Sequence, residues 1–209
     1  MQIDLWTDIV CPWCYIGVTR FERALERFGG DVTIRLHPFQ LDPEAPIPGI
    51  PAVERYRQRF GDEADEIVQR VTSEAKREGL DFHLDRALSA NTFDAHRALM
   101  FAERHEKARE LEHALYRTYF TDGLDVSNRE VLADVAAEVA LNRAEIAAFL
   151  ASDKGVEELT HDLAGAYEMG ITAVPTFVFA DEFMVPGAVD SDTFLRILGQ
   201  MQALQGGRS

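Results

Sequence analysis

The two cysteines of this 209-residue chain, Cys11 and Cys14, lie in a single tetrapeptide, CPWC. A thiol pair at this spacing can form a structural disulfide, supply half of a metal site or exchange disulfides with a substrate. A structural disulfide here would close a loop of about four residues and add only about 2 kcal/mol in the chain-entropy model. The spacing therefore disfavours a purely structural bridge.

Metal binding is a weaker interpretation of the pair. Structural zinc needs four ligands, and the chain has no second CxxC and no H-x₃₋₅-H pair among its six histidines. A c-type haem requires CxxCH, whereas Tyr15 follows Cys14. We therefore expect a redox-active pair, with no metal and no built-in cofactor.

Composition restricts the partners and the compartment. A net charge of −15 argues against nucleic acid and anionic membranes, because both bind basic surfaces. The N-terminus, MQIDLWTDIV, lacks the features of a signal peptide, and no stretch approaches the ~18 apolar residues of a membrane span. We expect a cytoplasmic protein, where structural disulfides are rare and an isolated CxxC indicates redox chemistry.

The elements around the pair predict where each sulfur lies. QIDLWTD alternates like a strand, and apolar residues from Ile16 to Phe28 recur at helical spacing until Gly29. Cys11 then falls at the junction of strand and helix, and Pro12 takes the first helical position, where its missing N–H is not needed. Cys14 lies one helical step deeper.

This placement predicts different roles for the two thiols. A helix dipole stabilises a nearby anion by only ~0.3–1 kcal/mol, so hydrogen bonds must also favour the Cys11 thiolate. The backbone N–H groups of Trp13 and Cys14 are the expected donors. We interpret Cys11 as the attacking thiolate and Cys14 as the resolving thiol.

The second informative stretch, GITAVPTFVFADEFMVPGA, spans residues 170–188. Thr176 to Phe179 and Phe183 to Val185 predict two short strands, and DSDTFLRILGQMQAL predicts a final helix. Pro175 at the head of the first strand, after β-branched Val174, suits an extended or cis geometry.

Between these parts, residues 43–155 show helical patterns and no strand signal. Ser127 and Glu130 predict a capping box before VLADVAAEVA, and SAN at 89–91 predicts another helix start. We expect one unit from residues 1–42 and 156–209, with 43–155 as an all-helical insertion. The last residues, QGGRS, are typical of a disordered end.

Three further residues are candidates for the site. Trp13, between the two cysteines, is expected at the mouth of the site in contact with substrate. His96, in DAHRAL, either faces the thiols from the insertion or is a helix histidine satisfied by its neighbours. Asp8 either steers the Cys14 proton or caps a loop, and the pattern favours the cap.

The order of the predicted elements resembles the thioredoxin fold. It consists of a strand, CxxC at a helix start, a second strand, several helices, VP before a hairpin, and a final helix. CPWC, HPFQLDP, NTFDAHRAL and AVPTFVF together resemble the DsbA family, and specifically its cytoplasmic FrnE-like branch. The resemblance covers nearly the whole chain. It implies an α/β thioredoxin-like fold with a helical insertion, Cys11 as the exposed nucleophile, and a cis Pro175 facing the thiols.

The resemblance also implies that the backbone of Val174 pairs with substrate and that His96 matches a family position. One departure concerns electron relay, since some FrnE-like proteins carry a further cysteine pair near the C-terminus and this chain does not.

Three functions follow as candidates. The first is thiol–disulfide exchange, as oxidase, reductase or isomerase, on a protein or a small molecule with glutathione or another thiol as co-substrate. The second is a glutathione-dependent transferase or isomerase of the kappa or hydroxychromene-carboxylate type, which does not need Cys14. The third is a redox-gated chaperone or a partner of a biosynthetic enzyme. The oligomeric state, a homodimer included, stays open.

Overall fold

A computed structural model describes residues 1–206 of the chain. The strands are β1 (Gln2–Thr7), β2 (Thr33–Pro38), β3 (Ile50–Pro51), β4 (Leu88–Ser89), β5 (Thr176–Phe179) and β6 (Phe183–Pro186). The helices are α1 (Pro12–Phe28), α2 (Ala52–Phe60), α3 (Ala64–Arg77), α4 (Phe93–Glu103), α5 (Ala108–Arg117), α6 (Arg129–Glu138), α7 (Arg143–Ala151), α8 (Val156–Glu168) and α9 (Ser191–Gly206).

The main sheet joins the two ends of the chain in the order β2-β1-β5-β6. β1 pairs with β2 in parallel and with β5 antiparallel, so that Leu5 lies between Leu36 and Phe177. Because Thr176 pairs with Trp6 near the end of β1, the residues before β5 lie beside the loop that leads into α1. The register therefore places Pro175 next to Cys11, although the two residues lie 164 positions apart in the sequence.

Aromatic side chains hold α1 and α9 against the sheet. Phe21 lies with its ring centroid 5.0 Å from that of Phe177 and 5.1 Å from that of Phe194, and all three side chains are buried. At 17 residues, α1 ends in a left-handed Gly29 whose N–H bonds the Leu25 carbonyl, as a helix stop requires. The chain has the thioredoxin-like α/β fold that the resemblance implied.

The central segment, residues 43–155, is mostly helical, but the expectation that it is entirely helical is wrong. β3 and β4 form a two-residue antiparallel ladder in which Ile50 faces Ser89 and Pro51 faces Leu88. Two residues are too few to show an alternating pattern, and proline is rarely expected in a strand. The ladder joins the residues before α2 to the residues that follow α3.

Two helix starts differ in detail from the sequence-based expectation. Asn128, rather than Ser127, caps α6 by accepting from the N–H of Glu130. Ser127 is occupied elsewhere, because both its N–H and its hydroxyl donate to Asp125 Oδ1. At α4, Thr92 takes the cap position, but the Asn91 side chain accepts the Phe93 N–H at 2.9 Å, as SAN suggested.

The C-terminal helix extends further than expected. QGGRS was predicted to be disordered, but Gln205 and Gly206 belong to α9, and residues 207–209 lie outside the described part of the chain. None of the helices within residues 1–206 has the length and apolar character needed to cross a membrane.

Candidate active site

Cys11 sits at the N-cap of α1, where the chain turns out of β1. Its backbone is extended (φ −85°, ψ 110°), its N–H bonds the Asp8 carbonyl at 3.0 Å, and Pro12 begins the helix. The Cys14 N–H donates to Cys11 Sγ at 3.3 Å. Trp13, the other predicted donor, makes no such bond in the described structure. The sulfur therefore lies at the positive end of the helix with one direct donor, as a stabilised thiolate needs.

The surroundings of the two sulfurs differ. Cys11 is 3 % exposed and lines a cavity of about 270 Å³. Cys14 is 0 % exposed, and burial, together with the neighbouring Cys11, raises the pKa of its thiol well above the ordinary value. Cys11 is thus accessible from the cavity, while burial favours the protonated form of Cys14.

The loop before β5 covers the other side of Cys11. The Val174–Pro175 peptide bond is cis, as the resemblance implied. The Cys11 thiol donates to the Val174 carbonyl at 3.6 Å, and both Cys11 and Val174 line the cavity. The Pro175 carbonyl accepts the Gly187 N–H at 2.7 Å, which ties the loop to the hairpin.

Gly17 is required for this close approach between α1 and the loop. A Cβ added to Gly17 would lie 2.9 Å from Pro175 Cγ and 3.3 Å from the Ala188 side chain. Real Cβ atoms essentially never approach other atoms closer than 3.0 Å. The absence of a side chain at Gly17 thus lets Pro175 pack directly on the helix that carries both cysteines.

The structure places Trp13 in the cavity wall and His96 in the protein interior. Trp13 is half-buried next to Cys11. His96 is 2 % exposed and does not line the cavity of Cys11, which fits the second of its two interpretations, a helix histidine satisfied by its neighbours, better than contact with substrate. Its Nε2 lies 2.9 Å from the Phe39 carbonyl, which can only accept, so Nε2 carries a proton.

Asp8 fills the loop-capping role favoured from the sequence. Its Oδ2 accepts the Leu41 N–H at 2.8 Å. The other oxygen, Oδ1, is buried without a hydrogen-bond partner in the described structure, and the Nε2 of His96 lies 3.4 Å from it. His96 and Asp8 therefore form a buried pair behind the site.

The rest of the cavity wall comes from the central segment, and no motif in the sequence indicated it. The contributing residues are Arg55, Tyr56, Arg59, Phe60, Ile67, Val71, Ser89 and Tyr119. Burial and the nearby Cys11 sulfur raise the pKa of Tyr56 to about 12. Its hydroxyl is thus a permanent donor near physiological pH. α2 carries three arginines and one glutamate in nine residues, a composition typical of an exposed helix, so its sequence does not indicate a position beside Cys11.

A buried carboxyl group, also missed, lies further inside. Glu112 of α5 is 1 % exposed and accepts from the Thr7 hydroxyl at 2.7 Å and from the Tyr116 hydroxyl at 3.2 Å. Burial raises the pKa of Glu112, since both hydrogen-bond partners are neutral. Within residues 1–206, no group of three or more His, Cys, Asp and Glu side chains could hold a metal ion.

A thioredoxin-like sheet, a CxxC pair at a helix start and a cis proline packed beside it define the class of DsbA-like proteins. Residues 2–199 match the model of the DSBA-like thioredoxin domain, and the chain belongs to this family.

The chain is similar to three further proteins, two in sequence and one in fold alone. The chain is 31% identical to the probable DsbA oxidoreductase SCO1869 of Streptomyces coelicolor, with a TM-score of 0.90 over 97% of this chain and 90% of that one. It is 26% identical to the uncharacterized protein YwbO of Bacillus subtilis (strain 168), over 97% of this chain and 98% of that one. The cytosolic disulfide reductase DsbM of Pseudomonas aeruginosa, solved with GSH, shares the fold at 17% identity, with a TM-score of 0.65 over 100% of this chain and 98% of that one.

Proposed function

We propose that this protein catalyses thiol–disulfide exchange through Cys11 and Cys14, as an oxidoreductase or isomerase. The difference between the two sulfurs is the observation that carries the proposal. Cys11 lies at the start of α1 and lines the cavity. Cys14 lies one turn further along the helix, is fully buried, and donates its backbone N–H to Cys11 Sγ.

The reaction uses this order. The Cys11 thiolate attacks a substrate disulfide, forms a Cys11–substrate mixed disulfide and releases the second substrate sulfur as a thiolate. Cys14 then loses its proton and attacks Cys11 Sγ. That attack forms the Cys11–Cys14 disulfide and releases the remaining substrate thiolate, so that the substrate gains two electrons and the protein loses two. The reverse sequence oxidises a dithiol substrate.

Val174 and Trp13 are proposed to hold the substrate. In the thiol form, the Val174 carbonyl accepts from Cys11. When Cys11 becomes a thiolate or a mixed disulfide it has no proton to donate, and the carbonyl becomes available to a substrate N–H, in the manner of an added strand. The half-buried Trp13 ring offers an apolar surface at the same opening.

The chain is proposed to consist of a unit that carries the cysteines and an insertion that adds to the cavity wall. We propose that residues 1–42 and 156–209 form the thioredoxin-like unit and that 43–155 is an insertion that completes the cavity. DsbM is a cytosolic reductase solved with GSH. That description, with the resemblance to the FrnE-like branch, supports a cytoplasmic setting and glutathione or another thiol as co-substrate for this chain.

Cys14 discriminates between dithiol exchange and a glutathione-dependent transferase or isomerase. A transferase needs one activated group, and a second thiol beside it has no role. In this chain the second thiol lies buried against the first, as intramolecular resolution requires. A redox-gated binding protein would instead keep its partner after Cys11 is lost.

Two single-cysteine variants test the proposal with hydroxyethyl disulfide and insulin as substrates. Cys11→Ser should lose all exchange above background. Cys14→Ser should accumulate a mixed disulfide, visible as added mass on the intact protein, because the chain has no third cysteine. Full turnover by Cys14→Ser with glutathione would favour the monothiol enzyme, and exchange by Cys11→Ser would refute the assignment of the nucleophile.

A further inference from the structure

We propose that Arg59 and Tyr56 of α2 form a carboxylate-binding subsite beside Cys11, which selects small acidic disulfides and thiols. This inference rests on the proposed function, from which it takes Cys11 as the reacting thiol. It adds the chemical class of the substrate, which the cysteine pair does not specify.

The charge of the cavity wall is the first observation. The chain carries a net charge of −15, yet the wall around Cys11 contains two arginines, Arg55 and Arg59, and one acidic residue, Asp42. Arg55 is matched, because its Nη2 lies 2.6 Å from Asp42 Oδ2. The cavity therefore has one positive charge in excess on a strongly acidic protein.

Arg59 supplies that excess charge. Within residues 1–206 its guanidinium has no carboxylate partner, and it lies 5.4 Å from the ring centroid of Phe60. It also borders an adjoining open groove of about 360 Å³ together with Leu41, Asp42, Arg55 and Gln58. A ligand bound to Arg59 could thus extend from the cavity of Cys11 towards solvent.

Tyr56 supplies the second polar group of the subsite, because it lines the same cavity as Arg59 and Cys11. Burial raises the pKa of its hydroxyl to about 12, so the hydroxyl stays protonated as a donor. An arginine fork beside a phenol donor matches a carboxylate. Elsewhere the acidic surface repels anions, so an acidic substrate gains from this local charge. The volume of about 270 Å³ suits a small molecule rather than a folded segment.

Paired disulfides of similar size test the subsite. Arg59→Gln should lower kcat/KM for dithiodiglycolate about tenfold, the loss of one charge-assisted hydrogen bond. The same variant should change kcat/KM for neutral hydroxyethyl disulfide less than about twofold. Arg57→Gln on the same helix is the matched control, since Arg57 pairs with Asp65 and does not line the cavity. Added salt should reduce the preference for the acid in the parent and not in Arg59→Gln.

A binding measurement separates this proposal from the proposed function. In Cys11→Ser no exchange can occur, and dithiodiglycolate should quench Trp fluorescence in that protein but not in Cys11→Ser with Arg59→Gln. Such binding supports the subsite even if exchange fails. No preference for the acid, or an equal loss with both disulfides in Arg59→Gln, would overturn it.

Discussion

The terminal segments, residues 1–42 and 156–206, and the central segment contribute different groups to one cavity. The terminal segments carry Cys11, Cys14 and the Val174–Pro175 loop, fixed by the pairing of β1 with β5. The central segment carries Tyr56 and Arg59, on a helix that packs beside the site. The proposed reactive thiols and the proposed substrate contacts of Trp13 and Val174 thus lie on the terminal segments, whereas the proposed carboxylate subsite lies on the central segment.

The two parts also differ in how they are held together. Around α1, β5 and α9 the buried contacts are aromatic, as in the cluster of Phe21, Phe177 and Phe194. The central segment buries the guanidinium of Arg97, which is 1 % exposed, whereas the terminal segments bury the carboxyls of Asp4 and Asp8. A buried guanidinium needs specific acceptors, so the central segment should respond sharply to the loss of Arg97.

The largest expected effect is on the central segment, at Arg97. Its guanidinium donates to the Phe149 and Leu150 carbonyls at the end of α7, and to Lys154. Arg97→Met removes the guanidinium donors from these carbonyls and from Asp94, leaving the Phe149 carbonyl only the N–H and hydroxyl of Ser152, and should lower the free energy of unfolding by about 3–5 kcal/mol. Chemical denaturation of the variant and the parent measures this difference in the free energy of unfolding.

Arg104→Met is the control for Arg97→Met, because Arg104 forms an exposed pair with Glu158 and should change stability by about 0–1 kcal/mol. Similar small effects of both variants would show that buried charge does not hold the central segment.

The next effect tests the terminal segments, at Gly17. Gly17→Ala places a methyl group against Pro175 and should cost about 1–3 kcal/mol of stability through overpacking. It should also slow exchange, because Pro175 moves relative to Cys11. Thermal unfolding and the rate with hydroxyethyl disulfide are the measurements.

Gly165→Ala provides the matched helical control. Nothing lies within 4 Å of a Cβ built at Gly165, so the change should stabilise the protein by about 0.5–1 kcal/mol and leave exchange unaltered. If Gly17→Ala behaves in the same way, the packing of Pro175 on α1 is not essential.

A smaller effect concerns the pH dependence of stability at Glu112. Since burial raises its pKa, folding favours the neutral carboxyl. The stabilising contribution is complete below the unfolded pKa of about 4.3 and is lost as pH rises through the folded value. Glu112→Gln should therefore be more stable than the parent at pH 7 and lose that advantage near pH 4. A difference in stability between Glu112→Gln and the parent that stays constant with pH would contradict a raised pKa of Glu112.

The smallest effect is spectroscopic and concerns Trp13. Forming the Cys11–Cys14 disulfide changes the wall against which Trp13 lies, so the fluorescence of oxidised and reduced protein should differ. Trp13→Phe should remove the difference, since Trp6, the other tryptophan, stacks on His37 with ring centroids 4.4 Å apart. A difference that survives Trp13→Phe would place the reporter elsewhere.

The sequence-based predictions were more complete for the terminal segments than for the central segment. The strand and helix limits around CPWC predicted the N-cap position of Cys11, whereas the cis Pro175 beside it was implied by the resemblance of AVPTFVF to the DsbA family. The position of His96 depends on how α4 packs over Asp8, and the cap of α6 depends on competition between Asn128 and Ser127. Tyr56 and Arg59 line the cavity of Cys11 only through tertiary packing of a short, charged helix, whose sequence does not indicate what it packs against.

The most direct test of the account is the order in which the two thiols of the reduced protein are alkylated. One equivalent of iodoacetamide, followed by fragmentation of the peptide that contains both cysteines, locates the label. We expect modification of Cys11 at least about tenfold faster than of Cys14, because Cys11 lies at the start of α1 and lines the cavity, whereas Cys14 is fully buried. Equal labelling, or faster labelling of Cys14, would contradict the assignment of attacking and resolving thiols.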